Sequence, residues 1–113
     1  SINTNITSIA YAAAGAGFMF RGSTGVNAPS EMNVVAFLGG SGTSYDVRVV
    51  DFTNASATVA EVTTQTNTTQ AIISMGTISN IPTFPAIFEV QALVTGGGGG
   101  RNMTVNSIEI VYP

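Results

Sequence analysis

Branched side chains dominate the apolar content of this chain. Val and Ile supply 22 residues and Thr another 15, whereas Leu occurs only at Leu38 and Leu93. Two heavy substituents on Cβ stiffen χ1 and crowd a helical turn, yet they suit a pleated surface. Helix-rich domains draw on Leu, Ala, Glu and Lys, and here Lys is missing altogether. The expected class is therefore all-β. A length of 113 residues suits one domain, expected to span residues 1–113.

Alternation and short buried runs place the strands. The pattern predicts strands at Ile2 to Ile9, Gly17 to Arg21, Asn33 to Leu38, Tyr45 to Phe52, Ala57 to Thr63, Gln70 to Ile78, Ala86 to Thr95 and Asn102 to Tyr112. Gly, Ser, Asn and Pro clusters separate them. Eight such strands suggest an antiparallel β-sandwich, with an eight-stranded jelly roll as the first choice. Between Val49 and Val50 the alternation slips by one residue, the signature of a β-bulge. After the slip, Asp46, Arg48 and Asp51 are expected to face outward together. Gly39–Gly42 and Gly96–Gly100 read as flexible turns, the second as a hairpin between the last two strands or a mobile binding loop. Ile81–Pro85 reads as a stiff loop, because each proline fixes its own φ and restricts its predecessor. Thr63 to Thr69 is a polar tract without apolar anchors.

The chemistry is sparse. With no His and no Cys, the usual bases, thiol nucleophiles and zinc ligands are missing, which argues against an enzyme and against a metal or cofactor. Ser41 lies in Gly-Gly-Ser-Gly-Thr, which is not a nucleophile elbow. The glycine runs are not phosphate loops without Lys. Glu31, Glu61, Glu89 and Glu109 are scattered, and nothing in the spacing pairs them as glycosidases require. Three Arg against six acids leave a net charge of −3. Arg21, Arg48 and Arg101 form no patch, which disfavours nucleic acid. The uncharged run from Val62 to Phe88 is too rich in Thr, Gln, Asn and Pro to span a membrane, and no membrane insertion is expected.

The candidate sites are correspondingly modest. Asp46, Arg48 and Asp51 form a possible polar site, against the plainer reading of a solvated face with a weak surface ion pair. Tyr45 and Tyr11 are candidate stacking rings for a sugar. Phe84, between two prolines, is either a tip that inserts into a partner or a plug at one end of the fold. Arg101 follows five glycines and is a candidate for a partner's carboxylate or phosphate. Four N-glycosylation sequons, at Asn5, Asn54, Asn67 and Asn102, are compatible with an exposed surface.

The run FMFRGSTGVNAPSEMNVVAFLGGSGTSYDVRVVDFTN, then TISNIPTFPAIFEVQALV and the closing SIEIVYP, resembles the small β-sandwich head modules of viral fibre and appendage proteins. The resemblance covers most of the chain but carries no diagnostic motif and no transferable residue. It implies a trimeric jelly roll that recognises a host or assembles on a particle. The expectation is a non-enzymatic structural and recognition module on a virion or cell surface, extracellular and homotrimeric. It would bind a host glycan or protein through end loops that include residues 81–85 and 96–101. Two alternatives stand beside it. One is a monomeric carbohydrate-binding module of a secreted protein. The other is a pilin-like filament subunit that donates residues 1–10 to a neighbour.

Overall fold

The computed structural model describes residues 3–15, 17–24 and 28–113. Ile2, the beginning of the first expected strand, lies outside them. The chain is all-β, as the abundance of branched residues predicts. Its strands are β1 (Thr4–Ile6), β2 (Ala12–Ala13), β3 (Phe18–Phe20), β4 (Glu31–Asp51), β5 (Ala57–Gln65), β6 (Ala71–Ser74) and β7 (Ala86–Val111). All pairings among them are antiparallel, and they join one seven-stranded sheet.

The count differs from eight for a definite reason. Two pairs of expected strands are each one continuous strand. Asn33–Leu38 and Tyr45–Phe52 merge into β4, and the two runs around the glycines at 96–100 merge into β7. The short β2 is a strand the pattern did not mark. β4 and β7 pair along almost their whole length, from Glu31 opposite Val111 to Asp51 opposite Phe88. The other strands flank this central ribbon. β6 and β5 pair with successive halves of β4, while β1, β2 and β3 pair with β7.

The central ribbon cannot be straight. A 21-residue strand would extend about 70 Å at ~3.3 Å per residue, whereas the longest dimension of the molecule is 45 Å. The glycines mark the break. Gly40 pairs with Arg101, and Gly42 pairs with Gly96, so Ser41 alone opposes the four residues from Gly97 to Gly100. The glycine run is thus an enlarged bulge inside β7, not a hairpin turn. Gly40 and Gly96 have φ of 55° and 148°, and a Cβ on either would strike the opposing backbone. The buried phase of β4 also changes across this corner, from Met32, Val34, Ala36 and Leu38 to Tyr45, Val47 and Val49. Phe88, Val90, Ala92 and Val94 of β7, then Met103 and Val105, join the same core cluster.

The slip read at Val49 and Val50 is real. Val49 pairs with Ala60 and Val50 with Thr58, leaving Val59 of β5 as the extra residue. Its consequence for side chains differs from expectation. Val49, Val50 and Asp51 are all buried, so Asp51 does not share an outward face with Asp46 and Arg48.

Candidate functional site

Asp51 ends β4 and starts a single 3-10 turn, Phe52–Asn54. Its carboxylate accepts from the backbone N–H of Asn54 at 3.2 Å and from the Asn54 side-chain amide. An Asp before a short polar turn is a standard cap, because its oxygens take up amide donors that the turn leaves free. At 1 % exposure Asp51 is a buried cap of the turn. Its buried position supersedes the outward placement of the proposed polar trio.

Facing this turn is the loop from Asn80 to Pro85. Asp51, Thr53, Asn54 and Ala57 on one side, and Asn80 to Pro85 on the other, enclose an open groove of about 550 Å³. Both walls are pinned. The backbone N–H of Ser23 donates to the Pro82 carbonyl at 3.0 Å, and that of Thr24 to the Thr83 carbonyl at 3.1 Å. The Asn80 amide donates to the Thr58 carbonyl at 2.8 Å, and Ser79 N–H to the Val59 carbonyl at 2.9 Å. Thr53 Oγ1 accepts from Ile87 N–H at 2.8 Å. Gly22 sits so close to Thr83 and Phe84 that any side chain there would meet their backbone.

Phe84 is 74 % exposed at the tip of this loop. Phe84 therefore does not plug the end of this chain's own core. Phe52 on the opposite turn is also exposed. Beside them Met19 and Ile87, a cross-strand pair, add further exposed apolar surface.

The other candidates lie elsewhere. Tyr45 is fully buried in the core, with its hydroxyl donating to Asn67 Oδ1 at 2.6 Å, so it offers no surface to a ligand. Burial pushes its pKa up to about 12, against a smaller lowering by the Asn67 hydrogen bond. Asp46 accepts from Thr64 N–H at 2.9 Å. The Arg48 guanidinium carbon lies over Tyr11, 3.8 Å from the ring centre, and Arg48 Nε donates to Gln91 Oε1 at 2.7 Å. Burial first, then the Asp46 charge, raises the Tyr11 pKa. Arg101 Nη1 donates to the Gly98 carbonyl at 2.9 Å, which staples the glycine bulge. Ten residues of strand separate Pro85 from the start of that bulge, about 30 Å along the chain. The 81–85 and 96–101 segments therefore do not form one binding end. The partner of the 81–85 loop is the 51–56 turn.

Sequence reasoning missed Thr53, Asn54 and Asn80. Their signal was Asp-Phe-Thr-Asn, a capped turn, and the Asn before Ile-Pro. Among the described residues no three His, Cys, Asp or Glu side chains come together to hold a metal ion. Comparison with protein-family models, curated proteins and solved structures finds no match to this chain.

Proposed function

We propose that this domain is a non-enzymatic structural and recognition module of a virion or cell surface, assembled as a homotrimer and contacting its partner through one end. The observation that carries this reading is the groove end. There two loops pinned by hydrogen bonds present Phe84 and Phe52 to solvent. Pre-organised loops with exposed aromatic rings suit recognition, because little ordering entropy is left to lose on binding.

A second feature supports self-association. The flanking strands β1, β2, β3, β5 and β6 carry one charged residue between them, Glu61. Charged guards, Lys above all, normally protect sheet edges from pairing with other chains. Ser79 and Asn80 cover part of the β5 edge. The exposed Ile72 on β6 has no such cover from a charged neighbour on its strand. The bend of β4 and β7, with both halves feeding one core, supports a sheet folded on itself in the manner of a jelly-roll sandwich. The buried Tyr45 weakens the tyrosine-based carbohydrate module, and β1 pairs with the chain's own β7 rather than standing free for donation.

Light scattering coupled to size exclusion tests the assembly. A mass about three times 11.5 kDa is expected. A monomer at all concentrations would overturn the trimer.

A further inference from the structure

We propose that the groove between the 51–56 turn and the 80–85 loop binds a neutral saccharide, with the Phe84 ring against the apolar face of a pyranose. The inference rests on the recognition reading above and names its ligand class.

The groove's chemistry narrows the ligand. Its lining contains one ionisable side chain, Asp51, and no cation. Nothing in the lining therefore neutralises a phosphate, a sulfate or a sialic acid carboxylate. Asp51 is committed to Asn54 and caps the turn, so the walls act through neutral groups.

Those neutral groups are of the right kind. Thr53 Oγ1 accepts from Ile87 N–H and keeps its own O–H to donate. Asn54 gives its backbone N–H and one side-chain N–H to Asp51, which leaves its Oδ1 as an acceptor and its second side-chain N–H as a donor. Asn80 donates through Nδ2 to Thr58 and keeps Oδ1. The Thr83 carbonyl is taken by Thr24, while its side chain is exposed. The lining thus holds both donors and acceptors together with the exposed Phe84 ring. Sugar hydroxyls both donate and accept, and a pyranose presents a C–H face that packs on an aromatic ring. A peptide in an apolar groove would instead call for deep hydrophobic pockets. This groove is open, and Ile81, Pro82 and Pro85 contribute its apolar lining.

The site is also built before any ligand arrives. Two prolines flank Phe84, and the bonds from Ser23, Thr24, Ser79 and Asn80 hold the loop against its neighbours. Exposure of a large ring on a rigid loop, beside unspent amide and hydroxyl groups, is the arrangement a sugar site requires.

The test is a titration of isotopically labelled full chain with methyl glycosides of glucose, galactose, mannose and N-acetylglucosamine, followed by amide and side-chain NMR shifts. Sialyllactose serves as the anionic control, and light scattering is run on the same samples. Saturable shifts from at least one neutral glycoside are expected at Asn54, Asn80, Thr83 and Phe84, with no saturation by sialic acid there. Phe84→Ala should weaken binding about tenfold, the order of one aromatic contact. Phe84→Leu should weaken it similarly, and Phe84→Trp should restore it, because a flat ring and not mere apolarity is required. No saturable shift at these residues, or binding that survives Phe84→Ala, overturns the saccharide site while an unchanged trimer mass leaves the recognition module standing. A trimer that dissociates on Phe84→Ala makes this end a self-interface, which overturns the saccharide site and the partner contact through this end and leaves the homotrimer standing.

Discussion

The hydroxyl of Tyr45 donates to Oδ1 of Asn67 at 2.6 Å, and this pair ties together the two halves of the bent strand β4. Tyr45 stands beyond the glycine corner. Asn67 reaches back before it, donating from Nδ2 to the Ala36 carbonyl at 2.8 Å and accepting at its own carbonyl from Leu38 N–H at 2.7 Å. Its amide also donates to Thr69 at 2.9 Å, which holds the local turn. One side chain thus satisfies groups that a bend in a strand would otherwise leave unpaired.

Removing this tie should destabilise the domain in steps. Tyr45→Phe loses one hydrogen bond and should cost about 1 kcal/mol. Asn67→Ala strips partners from the Tyr45 hydroxyl and the Ala36 carbonyl together, and should cost roughly 2 to 3 kcal/mol. Urea denaturation reads both, and an unchanged midpoint for Asn67→Ala would sink the assignment.

Alkaline pH should act through the same residue. The Tyr45 pKa is raised to about 12 in the folded state by burial, against about 10 for an exposed tyrosine. Below about pH 10 both states keep the proton and the contribution to stability is whole. As pH rises from there towards 12, the unfolded chain ionises while the folded one resists, so stability falls. Tyr11, also raised, adds to the fall. Unfolding midpoints measured from pH 8 to 12 should therefore decline less steeply in Tyr45→Phe than in the parent. Parallel curves would refute the linkage.

The capped turn is open to a direct check. Asp51→Ala removes both acceptors for Asn54 and should lower stability by about 1 kcal/mol, within the range for lost caps. Asp51→Asn keeps one acceptor and should cost less. Equal midpoints for parent and Asp51→Ala in thermal melts would show that the cap contributes nothing.

The glycines should separate into two groups. Gly40→Ala drives a methyl into the Gly100 carbonyl at a positive φ, and more than about 2 kcal/mol of destabilisation is expected. Gly97 and Gly99 meet nothing within 4 Å, so Ala there should stay within about 0.5 kcal/mol of the parent. If Gly40→Ala and Gly97→Ala melt together, the corner is not where the backbone is tightest.

Glycosylation distinguishes the sequons. Asn5 is exposed, whereas the Asn67 amide donates to two carbonyls inside the corner. Expressed through a eukaryotic secretory pathway, the folded fraction should carry glycan at Asn5 and none at Asn67, as read by peptide mass spectrometry. Glycan at Asn67 on protein with the parent's stability would contradict the hydrogen bonds.

The sequence by itself determined the all-β class, most strand positions and the phase slip between Val49 and Val50, because branched residues and two-residue alternation are local signals; that the extra residue is Val59 of the neighbouring β5 was visible only in the pairing. It also marked Phe84 and the proline loop. Tertiary structure alone decided the rest. Alternation says that Asn33–Leu38 and Tyr45–Phe52 are extended, but whether the glycines between them reverse the chain or merely bend it depends on which strand lies opposite. Here β7 pairs with both halves, so the glycines became a corner and a bulge. The same is true of side-chain direction. Tyr45 and Asp51 look outward-capable in a list of residues, yet the phase change across the corner and the irregular pairing near Val59 turn both inward. Asn67 seemed to lie in an unanchored polar tract because its partners, Ala36, Leu38 and Tyr45, are more than 20 residues away and meet it only when the ribbon bends. The groove arose in the same way, from a turn after β4 and a loop before β7 that the antiparallel register of Asp51 with Phe88 brings to one end.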